Sequence, residues 1–114
     1  MAASHEFLGR LLGHGALATY DWEEVRAAIH HVAATRVPES EDVLRRLLTT
    51  DFTVRLSEKS SAPHALSPED MLRSVAIQAL GTWNRRRHRD VIARVARTSH
   101  SDLLVAIARS HLAR

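Results

Sequence analysis

Apolar residues recur along this chain at spacings of three and four, the period of a helix, through almost its whole length. Phe7, Leu8, Leu11 and Leu12 form the first stripe and predict a helix over about residues 4–18. Gly9, Gly13 and Gly15 each weaken it by roughly 1 kcal/mol relative to alanine. The second stripe is Trp22, Val25, Ala28, Ile29 and Val32. Asp21 precedes it as an N-cap residue, and Glu24 three places on completes a capping-box pattern. This helix has to end before Pro38, because a residue preceding proline disfavours the α region. Ser40 or Glu39 then opens a third helix with Val43, Leu44, Leu47 and Leu48 inward.

Residues 52–66 break the period. Phe52-Thr53-Val54-Arg55-Leu56 alternates like a short strand, yet a lone strand is not stable, so an extended segment is expected. The polar run from Ser57 to Pro63 reads as a loop. Ser67-Pro68-Glu69-Asp70 restarts the helix. Serine caps, proline suits the first helical position, and the acids favour the positive end of the helix dipole. Met71, Leu72, Val75, Ala76, Ala79, Leu80 and Trp83 are its apolar face. A fifth helix is predicted over about 87–98 with Val91, Ile92, Val95 and Ala96 inward. A sixth follows Ser99 or Ser101 as cap, with Asp102 in its first turn and Leu103, Leu104, Ile107, Ala108 and Leu112 on one face.

These stripes repeat. A shift of 32 places Asp70, Leu72, Val75, Ala76 and Leu80 on Asp102, Leu104, Ile107, Ala108 and Leu112. A shift of 48 places Ala28, Ile29, Asp42, Val43 and Leu44 on Ala76, Ile77, Asp90, Val91 and Ile92. The 16-residue difference is about the length of the irregular stretch, so the unit is a helix pair and one unit carries an inserted loop. Leu72-Arg73-Ser74-Val75-Ala76-Ile77-Gln78-Ala79-Leu80-Gly81 resembles the first helix of a HEAT repeat: an acid, an aliphatic-arginine pair, an alanine, then Ala-Leu-Gly. The spacing is similar to that of the short bacterial HEAT-like subclass. The resemblance covers residues 67–113 well, 21–50 weakly and 1–20 not at all, and Val105 stands where Arg73 stands one repeat earlier.

The resemblance implies an all-α fold of about six helices in antiparallel pairs, a short α-solenoid or right-handed stack. It also implies a scaffold or binding module, because repeats bury their faces on one another and leave a long surface free. The expected layout is one domain: a capping helix over 1–20, a first pair over 21–50, an insertion over 51–66, and the HEAT-like repeat with a terminal helix over 67–114. Fewer than three full repeats stands near the limit of independent stability, and the end helices would each leave an apolar side uncovered. Self-association or another protein is the expected cover.

Composition narrows the function classes. Cysteine is absent, which removes disulfides and thiolate metal sites. No apolar run reaches the roughly 18 residues a membrane helix needs, and Met1 to Glu6 lacks the pattern of a leader, so a cytoplasmic location without membrane contact is expected. The eight histidines do not fall in zinc-binding spacing. His30 and His31 are adjacent, and His100 and His111 are some 16 Å apart on a similar helix face. No nucleophile elbow or glycine-rich phosphate loop occurs, and Glu23-Glu24 and Glu41-Asp42 fall in first turns, where capping explains them. The expectation is a non-enzymatic protein without cofactor or metal.

Charge supplies the candidate site. Residues 1–59 carry seven basic and nine acidic side chains, whereas 60–114 carry nine and four. The densest cluster is Arg85, Arg86, Arg87, His88 and Arg89, expected between the fourth and fifth helices. Arg94 and Arg97 continue it along the face shared by positions 87, 90, 94 and 97, which Asp90 interrupts. Such a cluster grips an acidic partner or phosphates, or simply keeps the surface solvated. Trp22 and Trp83 are candidate partner anchors, or core residues. Two readings follow: an interaction module or small adaptor using helix faces and a basic edge, or a nucleic-acid-associated helical subunit of a larger assembly.

Overall fold

The computed structural model describes residues 2–14, 19–55 and 66–113. Its elements in chain order are α1 (Ala2–His14), β1 (Thr19–Asp21), α2 (Trp22–Thr35), α3 (Pro38–Thr49), β2 (Thr53–Arg55), α4 (Pro68–Thr98) and α5 (Asp102–Leu112). The helical class expected from the periodicity is what the chain adopts, in packed helix pairs. The stretch expected to loop over 57–63 and the end of the first helix beyond His14 lie outside the described residues.

The predicted stripes are the core. Leu8, Leu11 and Leu12 of α1 meet Val25, Ala28, Ile29 and Val32 of α2 and Val43, Leu44, Leu47 and Leu48 of α3. Leu72, Ala76, Ile77, Leu80, Val91, Ile92 and Val95 of α4 continue the same cluster to Leu104 and Ala108 of α5. Fully burying one such aliphatic side chain stabilises the fold by about 1.5–3 kcal/mol. Leu103 departs from the expectation: it was placed on the inner face but is 44% exposed.

Several starts differ from the sequence reading. Asp21 makes no side-chain cap bond and closes β1 instead, so the capping box with Glu24 does not form. Pro38 does not merely end the preceding helix. It occupies the first turn of α3 behind Val37, where its missing N–H costs nothing. Ser40, expected as a cap, is fully buried, with its hydroxyl 3.0 Å from His5 Nε2 of α1. Arg36 makes the α2–α3 corner in the left-handed region, φ 51°, and its guanidinium lies over the Trp83 ring. Ser67 and Ser101 do cap, accepting from the Asp70 and Leu104 amides.

The extended segment after α3 has a partner. Thr53, Val54 and Arg55 pair in parallel with Thr19, Tyr20 and Asp21. Phe7 sits edge-on to Tyr20 at 5.5 Å, which ties α1 to this small sheet. Glu69 Oε2 accepts the Val54 amide at 2.9 Å, and Trp22 Nε1 donates to the Pro68 carbonyl at 3.2 Å. The sheet thus joins the starts of α2 and α4.

The fourth and fifth predicted helices are one continuous element, α4, broken at a single residue. Asn84 has φ −159° and ψ 84°, and its side chain accepts the Arg87 amide at 3.1 Å, as an N-cap does. A straight helix of 31 residues would run about 46 Å at 1.5 Å per residue. No principal extent of the molecule exceeds 36 Å, and the non-helical torsion angles at Asn84 divide the element into two arms. Among the described residues there are five helices, and six helical rods only if the two arms of α4 are counted apart. The basic cluster is therefore not a linker, as expected, but the opening turns of the second arm.

Candidate functional site

The arginines expected to share one surface divide by what they touch. Arg87 reaches across to α3, with Nη1 3.3 Å from Glu41 Oε2. Asp90 does interrupt the predicted face, because Arg45 of α3 binds it through both nitrogens at 3.0 and 2.6 Å. That bond lowers the Asp90 carboxyl to about 2. Arg94 lies on another side, lining a cavity of about 360 Å³ with Arg73, Asp51 and His100. Arg97 is exposed in the last turn of α4.

Arg85, Arg86 and Arg89 remain together. With Gly81 and Thr82 they line a cavity of about 520 Å³ at the α4 joint. Arg89 donates to the Leu112 carbonyl at 3.2 Å, so it also braces the C-terminal end of α5, where a cation suits the helix dipole. No ion pair involves Arg85, Arg86 or Arg89 among the described residues. Like charges three or four apart on a helix destabilise it by roughly 0.2–0.5 kcal/mol per pair. Arg85–Arg89 and Arg86–Arg89 are both such pairs, whereas neighbouring Arg87 has its acid.

Gly81 lies at the base of this region because α5 comes very close. A Cβ there would stand 2.5 Å from His111 Nδ1 and 3.2 Å from its Cγ and Cε1. The Ala-Leu-Gly ending of the motif therefore has a packing cause: the nearly buried His111 ring occupies the space a side chain would need.

His88 is the residue the sequence concealed. It sits in a run of arginines, yet it is fully buried between α3 and the second arm of α4. Its Nδ1 is 3.2 Å from Arg45 Nη1. Since arginine only donates, Nδ1 is the acceptor and the ring proton belongs on Nε2. That nitrogen faces Glu41 Oε1 at 3.4 Å without a formed hydrogen bond. The signal available in sequence was position: His88 stands one turn before Val91 and Ile92 on the inner face.

Burial pushes the His88 pKa below its ordinary value, with the nearby Arg45 and Arg87 charges adding to the effect and Glu41 opposing it. The unfolded chain therefore binds the proton before the folded one does. Stability is full above the ordinary histidine value and declines as pH falls through it towards the lower folded value. Urea titrations should accordingly give a lower unfolding free energy at pH 5.5 than at 7.5, with His88→Gln shallower in slope. Identical slopes for the two proteins would exclude His88 as the group responsible.

The tryptophans are engaged within the fold. Trp22 is half-buried, bonded to Pro68, with Arg26 over its ring at 5.8 Å. Trp83 is half-buried against the core under Arg36. Ser4 Oγ and His31 Nδ1 are 2.8 Å apart at the rim of an open groove between α1 and α2 that Phe7, Ala27, Ala28 and Glu24 also line. The pair joins the two helices. Among the described residues no group of three or more metal-ligating side chains converges, and no helix is long and apolar enough to cross a membrane.

Comparisons with family models, with curated proteins and with solved structures found no match to this chain.

Proposed function

We propose that this chain is a non-enzymatic protein-interaction module, a short HEAT-like helical stack that holds an acidic segment of a partner at its basic edge. The observation that carries the reading is the contrast within one cluster. Arg87 is matched by Glu41, while Arg85, Arg86 and Arg89 line one cavity with no carboxylate among its described walls. Charges so arranged weaken the helix and gain an anion only from outside the described residues.

A nucleic-acid partner is the competing reading. A backbone carries phosphates at regular intervals and is best met by a continuous basic track. Arg94 faces a different cavity and Arg87 is spent on α3, so a compact acidic group suits the surface better.

Affinity capture from the source cells, with quantitative mass spectrometry, tests the proposal. At least one acidic protein should be retained by the wild type and depleted at least fivefold with Arg85→Glu/Arg86→Glu/Arg89→Glu. Indistinguishable sets of captured proteins would end it. Nuclease-sensitive capture would favour the nucleic-acid reading.

A further inference from the structure

From the cavity at the α4 joint we infer a recognition site for a phosphate monoester, presented as a phosphorylated side chain on the partner protein. The inference rests on the interaction-module reading and specifies its ligand. Among the described residues, every polar side chain that lines the cavity carries a hydrogen-bond donor: Arg85, Arg86 and Arg89 through their guanidiniums, and Thr82 through its hydroxyl. A carboxylate offers two oxygens and one negative charge, which a single arginine fork satisfies. A phosphate monoester offers three terminal oxygens and a charge of about −1.5 to −2 at neutral pH. Three arginines lining one space, with no acid among its described walls, match the second inventory and exceed the first.

The surroundings keep this charge available. Arg89 uses Nη1 on the Leu112 carbonyl, which is neutral, so its charge is positioned and not cancelled. Arg87, the remaining arginine of the run, is turned away to Glu41 and does not line the cavity. Gly81 adds no side chain to the space. The lining residues come from the two arms of α4, on either side of Asn84, so the joint shapes the site.

The test uses the whole protein and four fluorescein-labelled probes: a nine-residue glycine-rich peptide with one central phosphoserine, its serine and aspartate versions, and a twelve-nucleotide single-stranded DNA. Anisotropy should show the phosphoserine peptide bound at least tenfold more tightly than either other peptide, with inorganic phosphate competing. Arg85→Gln/Arg86→Gln should remove that advantage, and Thr82→Val should reduce it severalfold, both with the wild-type circular dichroism spectrum. Equal binding of the aspartate and phosphoserine peptides overturns the phosphate assignment and leaves the acidic-partner reading standing. Tighter binding of the DNA than of the phosphoserine peptide overturns both. If no peptide binds, the phosphate assignment fails, and the cell-capture experiment alone decides the broader reading.

Discussion

Replacing Arg73 by alanine should lower the free energy of unfolding by about 2–4 kcal/mol, an effect larger than any expected from the exposed arginines. Arg73 is the arginine of the repeat-like motif, and its side chain is only 19% exposed. It binds Asp70 at 2.9 Å, the Thr50 carbonyl at 3.3 Å and the Leu47 carbonyl at 3.4 Å, and it lies over the Phe52 ring at 4.8 Å. One side chain therefore closes the C-terminal end of α3, holds the approach to β2 and fixes both to α4. Its loss leaves carbonyls without their donor and a half-buried carboxylate without its cation. For a chain of this size the melting temperature should fall by about 4 °C per kcal/mol. Arg73→Lys should be intermediate, because lysine keeps the charge and loses the planar fork. Arg94→Ala, at an exposed position, should stay within about 0.5 kcal/mol of wild type. A melting temperature for Arg73→Ala equal to that of Arg94→Ala would refute the bracing role.

The second large effect is expected at Gly81. Glycine to alanine inside a helix ordinarily stabilises by up to about 1 kcal/mol. Here the added methyl meets the His111 ring at Nδ1, Cγ and Cε1. Overpacking of this kind costs about 1–3 kcal/mol, so the net change should be destabilising. Gly81→Ala combined with His111→Ala should recover part of that loss. A coupling of at least about 0.5 kcal/mol in the double-mutant cycle marks direct contact. Strict additivity in denaturant titrations, or a stabilised Gly81→Ala, would show that α5 does not press on α4 there.

Both residues belong to the one stretch in which sequence resemblance was strongest, and that is informative about legibility. The stripes in α2 and α3 were readable because each helix turns one face to a common core: Val25, Ala28, Ile29 and Val32, then Val43, Leu44, Leu47 and Leu48, are all buried. What escaped was set by distant partners. Thr53 to Arg55 looked like a strand without a neighbour because its neighbour, Thr19 to Asp21, lies across two helices and reads as a cap. Asp21 shows the same conflict, its local capping pattern overridden by the ladder. The break near Asn84 was readable, since the fourth stripe ends at Trp83 and a fifth helix is expected from about Arg87, but its tightness was not, because a single non-helical residue leaves no turn-rich segment behind it.

The candidate site was half legible. Charge density alone located residues 85–89, and it could not say which arginines had acids opposite. Arg87 and Glu41 are 46 positions apart, and only the packing of α3 on α4 brings them together. His88 carried a polar label in a polar run, so its place one turn before Val91 and Ile92, on the buried face, was masked by its residue type.

The one-residue joint at Asn84 has a mechanical meaning for that site. Gly81 and Thr82 ride on one rod, and Arg85, Arg86 and Arg89 ride on the other. With no loop between the rods, the two torsion angles at Asn84 set how the cavity's two halves face each other. Helix α5 spans that corner like a brace across a bracket, with His111 against Gly81 of the first arm and the Leu112 carbonyl accepting from Arg89 of the second.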